Sequence, residues 1–330
     1  MRAIVYDAYG PPDVWRIADV PKPSLRPKDV LIRIHSTAIT RADCETRDAN
    51  RKSGPVVSAL SRLVSGVRRP RQPILGKDFA GVVEEVGPEV SEFQPGDRVF
   101  GDTGFSFGAF AEFMSVPEIA YLAQMPSAMT FDEGAALCDG GLYALWPLKL
   151  ARIQPGETVL VYGSSGAIGS AAVQLAKSFG GEVTAVCTAK NLDLMAELGA
   201  DHAIDYTRED FTKSGKTYDV IMDAVAKHSY ALSKASLKPG GRFLATDHFQ
   251  NLLLHYWTPR VGDKKVIFSI PPRATREDVQ MFKALYEAGK YHAVIDRTYP
   301  MNEAVEAARY VETEQKTGNV ILEIGNPSGY

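Results

Sequence analysis

The sequence has few cysteines and no long apolar run. Its three cysteines, Cys44, Cys138 and Cys187, are odd in number and far apart in a chain of 330 residues. This argues against a disulfide framework and predicts a reducing, cytoplasmic location. No apolar run approaches the length that spans a bilayer, and residues 1–6 lack the layout of a signal peptide.

The sequence also lacks a strong charge of either sign. Its formal net charge is −3, from 37 basic and 40 acidic residues. This gives no reason to expect nucleic acid or an anionic membrane as a partner. The length suits two domains rather than one.

A strand, a glycine-rich turn, a helix and a second strand follow one another over residues 158–187. The strand 158–162 is rich in β-branched and aromatic residues, and a helical pattern of apolar residues follows the turn. The turn consists of Gly163, Ser164, Ser165, Gly166, Ala167, Ile168 and Gly169. Small residues let the backbone approach a pyrophosphate, and the helix start supplies free N–H groups, so the unit predicts dinucleotide binding.

This turn departs from the usual G-x-G-x-x-G pattern. Ser164 stands at the first glycine position, while Gly166 and Gly169 are in place. A glycine pattern alone is a weak signal, and the alternative is a purely structural turn. The order strand, turn, helix and strand favours the dinucleotide interpretation.

The remaining chain predicts an α/β fold with two domains. Four further strands, at 202–205, 220–223, 242–246 and 266–270, complete a doubly wound parallel sheet of six. Residues 1 to about 125 predict a mainly β domain, and residues 126–151 a helical connection interrupted at Gly140-Gly141. The last strands and helix fit a return to the first domain. The predicted domains are 1–127 with 271–330, and 128–270.

A basic segment lies between Thr46 and Gln72. It contains Arg47, Arg51, Lys52, Arg62, Arg68, Arg69 and Arg71, and its apolar part is residues 56–67. One interpretation is a mobile flap whose cations meet an anionic substrate or cofactor. The favoured one is a solvated surface loop with one short helix, since surface charge runs usually have no specific partner.

Several motifs together resemble the medium-chain dehydrogenase/reductase superfamily. They are Gly76-Lys77-Asp78-Phe79-Ala80-Gly81, Pro95-Gly96-Asp97-Arg98-Val99, Gly108-Ala109-Phe110-Ala111-Glu112-Phe113, the glycine turn and Lys316-Thr317-Gly318-Asn319-Val320. They cover nearly the whole chain, and they resemble most the zinc-independent NADPH quinone oxidoreductases. The resemblance implies a GroES-like catalytic domain, a Rossmann domain and a homodimer joined through the Rossmann sheet edge.

The same resemblance argues against a catalytic zinc. Zinc alcohol dehydrogenases of this superfamily hold the metal with a Cys, a His in a G-H-E motif and a later Cys or acid. The first two positions match Thr40 and Lys77 here, and Cys44 and Cys138 are out of register. Neither Thr40 nor Lys77 suits a zinc site of thiolate, imidazole or carboxylate groups, so no metal is expected.

The implied activity is metal-free hydride transfer from NADPH to a quinone or an α,β-unsaturated carbonyl. The implied partner is a small-molecule substrate, and Thr40 and Asp43 are the candidate catalytic residues on the substrate side. Thr40 stands where the quinone oxidoreductases often carry Asn, and Asp43 matches their Asp. Phe105 and Phe107 are candidate ring-stacking walls, with ordinary loop packing as the alternative. Two other functions remain open: an enoyl-thioester reductase of the same fold, and a non-catalytic nucleotide-binding protein.

The end of the second Rossmann strand favours NADPH over NADH. No carboxylate lies in residues 186–191, where an acid would bind the ribose hydroxyls of NAD. Thr188 and Lys190 could instead bind a 2′-phosphate. Tyr206 resembles the tyrosine that completes this phosphate pocket in the family. The alternative is that Lys190 and Tyr206 are solvated surface residues.

Overall fold

The computed structural model describes residues 1–104, 106–247, 250–269 and 274–325. It divides into two compact units. Unit 1 comprises Met1–Asp139, Thr275–Lys283 and Ile295–Tyr330, and unit 2 comprises Gly140–Ala274 and Ala284–Val294. Among the described residues, no helix combines the length and the apolar character that a bilayer span requires.

The described residues form fifteen strands and nine α-helices. The strands are β1 (Arg2–Val5), β2 (Arg16–Asp19), β3 (Asp29–Ile39), β4 (Asp78–Val86), β5 (Arg98–Asp102), β6 (Phe113–Pro117), β7 (Tyr121–Gln124), β8 (Thr158–Tyr162), β9 (Glu182–Cys187), β10 (His202–Asp205), β11 (Tyr218–Asp223), β12 (Leu237–Ala245), β13 (Lys265–Phe268), β14 (Ile295–Pro300) and β15 (Asn319–Glu323). The helices are α1 (Arg41–Arg47), α2 (Pro55–Ser65), α3 (Phe131–Ala151), α4 (Ala167–Ser178), α5 (Leu192–Glu197), α6 (Tyr230–Ser233), α7 (Gln250–Val261), α8 (Arg276–Glu287) and α9 (Ala304–Glu312).

Unit 1 is built around one mainly antiparallel sheet. Its strand order is β14-β15-β3-β4-β5-β7, with β6 on the first half of β3 and a separate β1-β2 hairpin. Val30, Ile32 and Ile34 of β3 alternate toward the core and are fully buried, as the period of two predicts. The predicted return of the C-terminal elements is confirmed, because β15 pairs with β3.

Unit 2 is a six-stranded parallel sheet in the order β10-β9-β8-β11-β12-β13. The first strand, β8, lies at the centre, and the order reverses on its two sides. In such sheets the ligand binds at this switch point, beyond the carboxyl ends of the strands. The predicted doubly wound fold is therefore confirmed, and the glycine turn lies at that point.

The predicted interruption of the first long helix is wrong. α3 continues through Gly140 and Gly141. A Cβ on Gly140 would lie 2.5 Å from the carbonyl oxygen of Ala167, so this glycine serves a close helix contact rather than a break. The sequence prediction also missed α7, whose apolar residues are largely exposed and form no clear helical stripe.

The two units divide the chain at positions other than the predicted boundaries after residues 127 and 270. One division falls inside α3, between Asp139 and Gly140, and Ala284–Val294 groups with unit 2. Gln174 of α4 explains the second grouping: its amide donates to the carbonyl of His292 at 3.1 Å and accepts from the His292 N–H at 2.8 Å. The predicted domain boundaries stay a prediction, and residues 270–271 lie outside the described residues.

Candidate functional site

The glycine turn of unit 2 brings β8 and α4 into close backbone contact. Gly163 has a φ of +76°, which favours glycine, and its N–H donates to Val186 of the next strand at 3.0 Å. A Cβ on Gly169 would lie only 2.1 Å from the carbonyl oxygen of Gly163. Glycine is therefore required at both positions, and the backbone of the turn stays open to a ligand.

The start of α4 has no side-chain cap. Gly166 is the N-cap residue and makes no side-chain hydrogen bond to the first turn. The N–H groups of Ala167, Ile168 and Gly169 therefore have no partner from the helix itself, and the helix dipole is positive at this end. This arrangement suits a pyrophosphate. Ser164 is fully buried and Ser165 partly exposed in the same turn.

The three residues predicted to hold a 2′-phosphate follow two neighbouring strands. Cys187 of β9 pairs with Asp205 of β10, so Thr188 and Tyr206 leave the sheet side by side. The Tyr206 N–H donates to the Cys187 carbonyl at 3.1 Å, and its ring is about half exposed. Lys190 is exposed, in a short 3-10 turn, Ala189–Asn191, that begins after Thr188. Whether these groups bind phosphate stays a prediction.

Sequence reasoning missed an aromatic cavity beside Tyr206. The cavity has a volume of about 250 Å³ and is lined by Tyr162, Tyr206, Glu209, Asp210, Phe211 and His228. Asp223, at the end of β11, accepts backbone N–H bonds from Val225, Lys227 and His228 and so fixes the loop that carries His228. The signal that could have found Asp223 is its position, an acid at the carboxyl end of a buried strand.

Thr40 and Asp43 of unit 1 form a capping box at the start of α1. Thr40 donates to Asp43 Oδ2 through its N–H at 2.9 Å and its hydroxyl at 2.7 Å, and the Asp43 N–H donates back to Thr40 Oγ1 at 3.2 Å. The other carboxylate oxygen accepts from the Gly76 N–H at 3.1 Å. Both oxygens of Asp43 are thus engaged inside unit 1.

The carboxyl of Asp43 is enclosed within unit 1. Asp43 has no exposed surface, and burial raises its pKa to about 6 although bonds from Thr40 lower it. Its carboxyl joins the end of β3, the start of α1 and the Gly76 turn. Thr40 is only 6% exposed, and whether the two residues line the substrate side stays a prediction.

Lys77, next to this turn, lies among three carboxyl groups. Its ammonium is 2.8 Å from Asp139 Oδ1 and 3.8 Å from Asp102 Oδ2. Oxygens of Asp78, Asp102 and Asp139 lie within 4.8 Å of one another. The oxygens of Asp78 have no hydrogen-bond partner among the described residues. We call these four residues the Lys77 cluster.

The charges of the Lys77 cluster do not balance while every carboxyl is ionised. Burial, followed by the neighbouring Asp139 and Asp102, raises the pKa of Asp78 well above its ordinary range. Burial also raises the pKa of Asp102, although Lys77 lowers it. Burial and the same carboxylates raise the pKa of the Cys138 thiol, which therefore stays protonated. Both shifts favour the protonated forms of Asp78 and Asp102, which lessens the excess of negative charge in the cluster.

The residues present do not fit the zinc site of the alcohol dehydrogenases. The Thr40 hydroxyl donates to Asp43 and caps a helix, and Lys77 offers an ammonium in place of an imidazole. Zinc sites of this kind use thiolate, imidazole or carboxylate ligands in a tetrahedral set, and an ammonium cannot be such a ligand. The three carboxyls would suit a harder cation, but the Lys77 ammonium already lies among them.

The predicted ring-stacking walls and the basic segment were two further candidates for the substrate side. Phe107 packs against the apolar core of unit 1 and lines a cavity of about 460 Å³ whose lining includes neither Thr40 nor Asp43. This favours the packing interpretation, while Phe105 lies outside the described residues. Arg47 is not part of a surface flap: it is 1% exposed, pairs with Glu312 and donates to the Gly10 carbonyl at 3.1 Å.

Comparison with known proteins covers both parts of the chain. Residues 26–127 match the family model of the alcohol dehydrogenase GroES-like domain, and residues 198–322 match that of the zinc-binding dehydrogenases. The chain is 31% identical to a 2-methylene-furan-3-one reductase of Solanum lycopersicum, over 98% of this chain and 79% of that protein. It is 29% identical to a chloroplastic NADPH-dependent alkenal/one oxidoreductase of Arabidopsis thaliana, with the same coverage.

A solved structure supports the same relationship. The quinone oxidoreductase of Coxiella burnetii superposes with a TM-score of 0.86 at 27% identity, covering 98% of this chain and 99% of that one. The predicted combination of a GroES-like domain and a Rossmann domain that binds a nicotinamide dinucleotide is confirmed. The chain is thus an oxidoreductase acting on a small molecule, and it belongs to the zinc-independent, quinone oxidoreductase-like branch of the medium-chain dehydrogenase/reductase superfamily.

Proposed function

We propose that this protein transfers a hydride from NADPH to a quinone or an α,β-unsaturated carbonyl without a zinc ion. The carrying observation is the Lys77 ammonium, held 2.8 Å from Asp139 at a position where zinc-dependent relatives need a ligand. Saturated ketones and alcohols depend on a Lewis acid to polarise their oxygen. Quinones and enones are already activated, so they need less of this help.

In the proposed mechanism, unit 2 supplies the groups that bind the cofactor, and unit 1 supplies the residues on the acceptor side. Residues 163–169 bind the pyrophosphate of the cofactor through backbone N–H groups and the positive end of α4. Thr188, Lys190 and Tyr206 bind the 2′-phosphate. The nicotinamide itself supplies the hydride. Thr40 lines the acceptor side, Asp43 holds the turn that carries Thr40, and water supplies the proton that completes the reduction.

The preference for NADPH is tested by replacing Lys190 with alanine. A charge-assisted phosphate contact contributes roughly 1.5–3 kcal/mol, or about ten- to a hundredfold in affinity. Lys190→Ala should weaken NADPH binding by that factor and leave NADH nearly unchanged, as measured by fluorescence titration. Lys216→Ala, at another exposed lysine of unit 2, is the control. Equal affinity of the wild type for both cofactors, or equal weakening of both, would contradict the assignment.

The acceptor is tested by a steady-state panel of simple quinones, enones and an enoyl-CoA. The proposal expects the quinones or enones to have the highest kcat/KM. Preference for the enoyl-CoA would favour the enoyl-thioester reductase instead, and no oxidation of NADPH with any acceptor would contradict both. Metal analysis belongs to the same experiment, since stoichiometric zinc whose removal abolishes turnover would contradict the zinc-free mechanism.

The proposal includes a cytoplasmic homodimer joined through unit 2. β13 pairs with β12 and with no other described strand, so one of its edges is available. Leu253, Tyr256 and Trp257 of the adjacent α7 are each at least 60% exposed, and aromatic side chains are enriched at interfaces. Light scattering should give a dimer for the wild type and a monomer for Trp257→Lys, whereas a wild-type monomer would contradict this part of the proposal.

A further inference from the structure

Helix α2 turns its apolar side toward solvent. Val56, Leu60, Leu63 and Val64 recur at helical spacing, with Val67 one turn beyond, and each is between 59% and 75% exposed. Not one residue of α2 is buried. At three turns, this apolar stripe is about 16 Å long. Soluble proteins rarely expose apolar stripes of this kind without a partner.

The polar side of α2 is the side attached to unit 1. Asn50 donates to the Ser61 hydroxyl at 2.7 Å, and the Arg62 guanidinium lies 5.2 Å from the centre of the Tyr9 ring. The buried Tyr9 hydroxyl donates to the Gly66 carbonyl at 2.8 Å. An ordinary surface helix buries its apolar face and exposes its polar one. α2 is oriented the opposite way, and hydrogen bonds hold it there.

Positive charge surrounds this exposed apolar side. No Asp or Glu occurs in residues 49–77. Residues 49–76 contain six basic side chains, Arg51, Lys52, Arg62, Arg68, Arg69 and Arg71. Most of them are exposed, and Arg68 and Arg69 form no ion pair with the described residues. The segment is therefore strongly positive in a chain whose net charge is −3.

We propose that this surface lies on an anionic lipid bilayer. The α2 surface is defined as the five apolar residues 56, 60, 63, 64 and 67 together with the five exposed basic residues 51, 52, 68, 69 and 71. An interfacial helix inserts one apolar face among the acyl chains, and flanking Lys and Arg attract anionic headgroups. The expectation that no membrane would be a partner depended on the net charge of the whole chain. The net charge does not reveal a local excess of positive charge.

Two other occupants fit the α2 surface less well. A second copy would bring two strongly basic segments together, and the repulsion of like charges opposes such a contact. A protein partner is disfavoured because the exposed stripe is purely aliphatic, whereas the cores of protein interfaces are enriched in aromatic residues and Met. The proposal is independent of the proposed reaction, because vesicle binding needs neither cofactor nor acceptor.

The test is co-sedimentation of the full chain with vesicles. Phosphatidylcholine vesicles with and without phosphatidylglycerol are compared at low salt and at about 0.5 M NaCl, where electrostatic attraction is screened. The wild type should bind only the anionic vesicles, and salt should weaken that binding. Arg68→Gln with Arg69→Gln removes two charges and should weaken binding about thirtyfold. Lys213→Gln with Lys216→Gln removes two exposed charges of unit 2 and should change it little.

The contribution of the apolar residues to vesicle binding is tested separately. Leu60→Ser with Leu63→Ser should weaken binding at least roughly tenfold. Because neither leucine is buried, circular dichroism and the thermal transition should stay unchanged. Ile119→Ser removes an isolated, 81% exposed apolar residue of unit 1 and should leave binding intact. Failure of the wild type to bind anionic vesicles would overturn the proposal, and so would a leucine variant that changes only the oligomeric state or the KM of a soluble acceptor.

Discussion

The two units differ most in the number of charged residues that they bury. Among the described residues, the buried charged residues of unit 1 are Asp29, Asp43, Arg47, Lys77, Asp78, Asp102 and Asp278, whereas Asp223 is the one in unit 2. The sheet of unit 2 is apolar, and its candidate pyrophosphate site consists of backbone N–H groups beyond the carboxyl end of the central strand β8. Unit 1 instead depends on side chains that must find partners far along the sequence. Substitutions should therefore affect the two units through different properties, which four experiments can measure.

The largest effect is expected from Arg47→Met. Arg47 is buried, pairs with Glu312 and lies 5.2 Å from the Trp15 ring. Breaking a buried ion pair from one side costs about 3–5 kcal/mol, because the remaining charge is left uncompensated. Glu312 is partly exposed, so we expect about 3 kcal/mol in chemical unfolding. Arg208→Met breaks a pair with Asp205 at 3.6 Å in which the arginine side chain is 84% exposed, and it should cost less than about 1 kcal/mol. Equal losses would contradict the contrast between the units.

Lys77→Met should show that the Lys77 cluster depends on its internal cation. Without the ammonium, the pKa values of the buried carboxyls should rise further. A carboxyl whose folded pKa is raised loses its stability contribution as pH rises through that pKa. The variant should thus be destabilised by roughly 2–3 kcal/mol at pH 8 and by less at pH 5.

The matched control for this cluster is Lys177→Met in unit 2. The Lys177 ammonium also lies 2.8 Å from a carboxylate, that of Asp201, but both side chains are about one-third exposed. We expect a loss below about 1 kcal/mol. A Lys77→Met deficit that shrinks as pH rises would show that the cluster does not need the ammonium.

Gly169→Ala tests the backbone chemistry of unit 2. The new methyl group would meet the Gly163 carbonyl oxygen at 2.1 Å and the Ser164 Cα at 2.6 Å, and neither atom belongs to a flexible side chain. We expect a loss of roughly 2 kcal/mol in stability and a clear weakening of dinucleotide binding, measured by titration. Gly262→Ala adds a methyl group where no atom lies within 4 Å, and both quantities should stay unchanged. Unaltered cofactor affinity in Gly169→Ala would contradict the assigned role of the turn.

The smallest loss of stability is expected from Asp43→Asn, which alters the capping box of α1. The amide cannot accept from Thr40 and Gly76 with both of its atoms, so we expect a loss of about 1–2 kcal/mol at pH 7. The folded pKa of Asp43, about 6, lies above the ordinary value of 3.8. Its contribution therefore increases as pH falls from 7 to 5, and the gap between wild type and variant should widen by roughly 1 kcal/mol.

The catalytic rate gives an independent measurement on the same variant. If Asp43 only positions Thr40, kcat should fall modestly once the variant is assayed well below its transition temperature. General acid–base residues contribute on the order of a hundredfold or more. A loss of that size in a folded Asp43→Asn protein would contradict the positioning role.

The sequence alone predicted features whose partners lie close together along the chain. The turn between β8 and α4 consists of seven consecutive residues, and their small side chains allow its close backbone contacts. The rhythm of strand and helix predicted the sheet of unit 2, because each of its parallel connections is made locally.

Only the tertiary structure decided which charges are buried. Lys77 and Asp139 are 62 positions apart, and Arg47 and Glu312 are 265 apart, so no local pattern connects them. Arg47 and Arg68 belong to the same basic run, yet one lies in the core and the other in solvent. Likewise, the sequence predicted one short helix in this segment but not that its apolar side faces solvent. Periodicity defines two sides of a helix, and only the contacts of Tyr9 and Asn50 determine which side faces the protein.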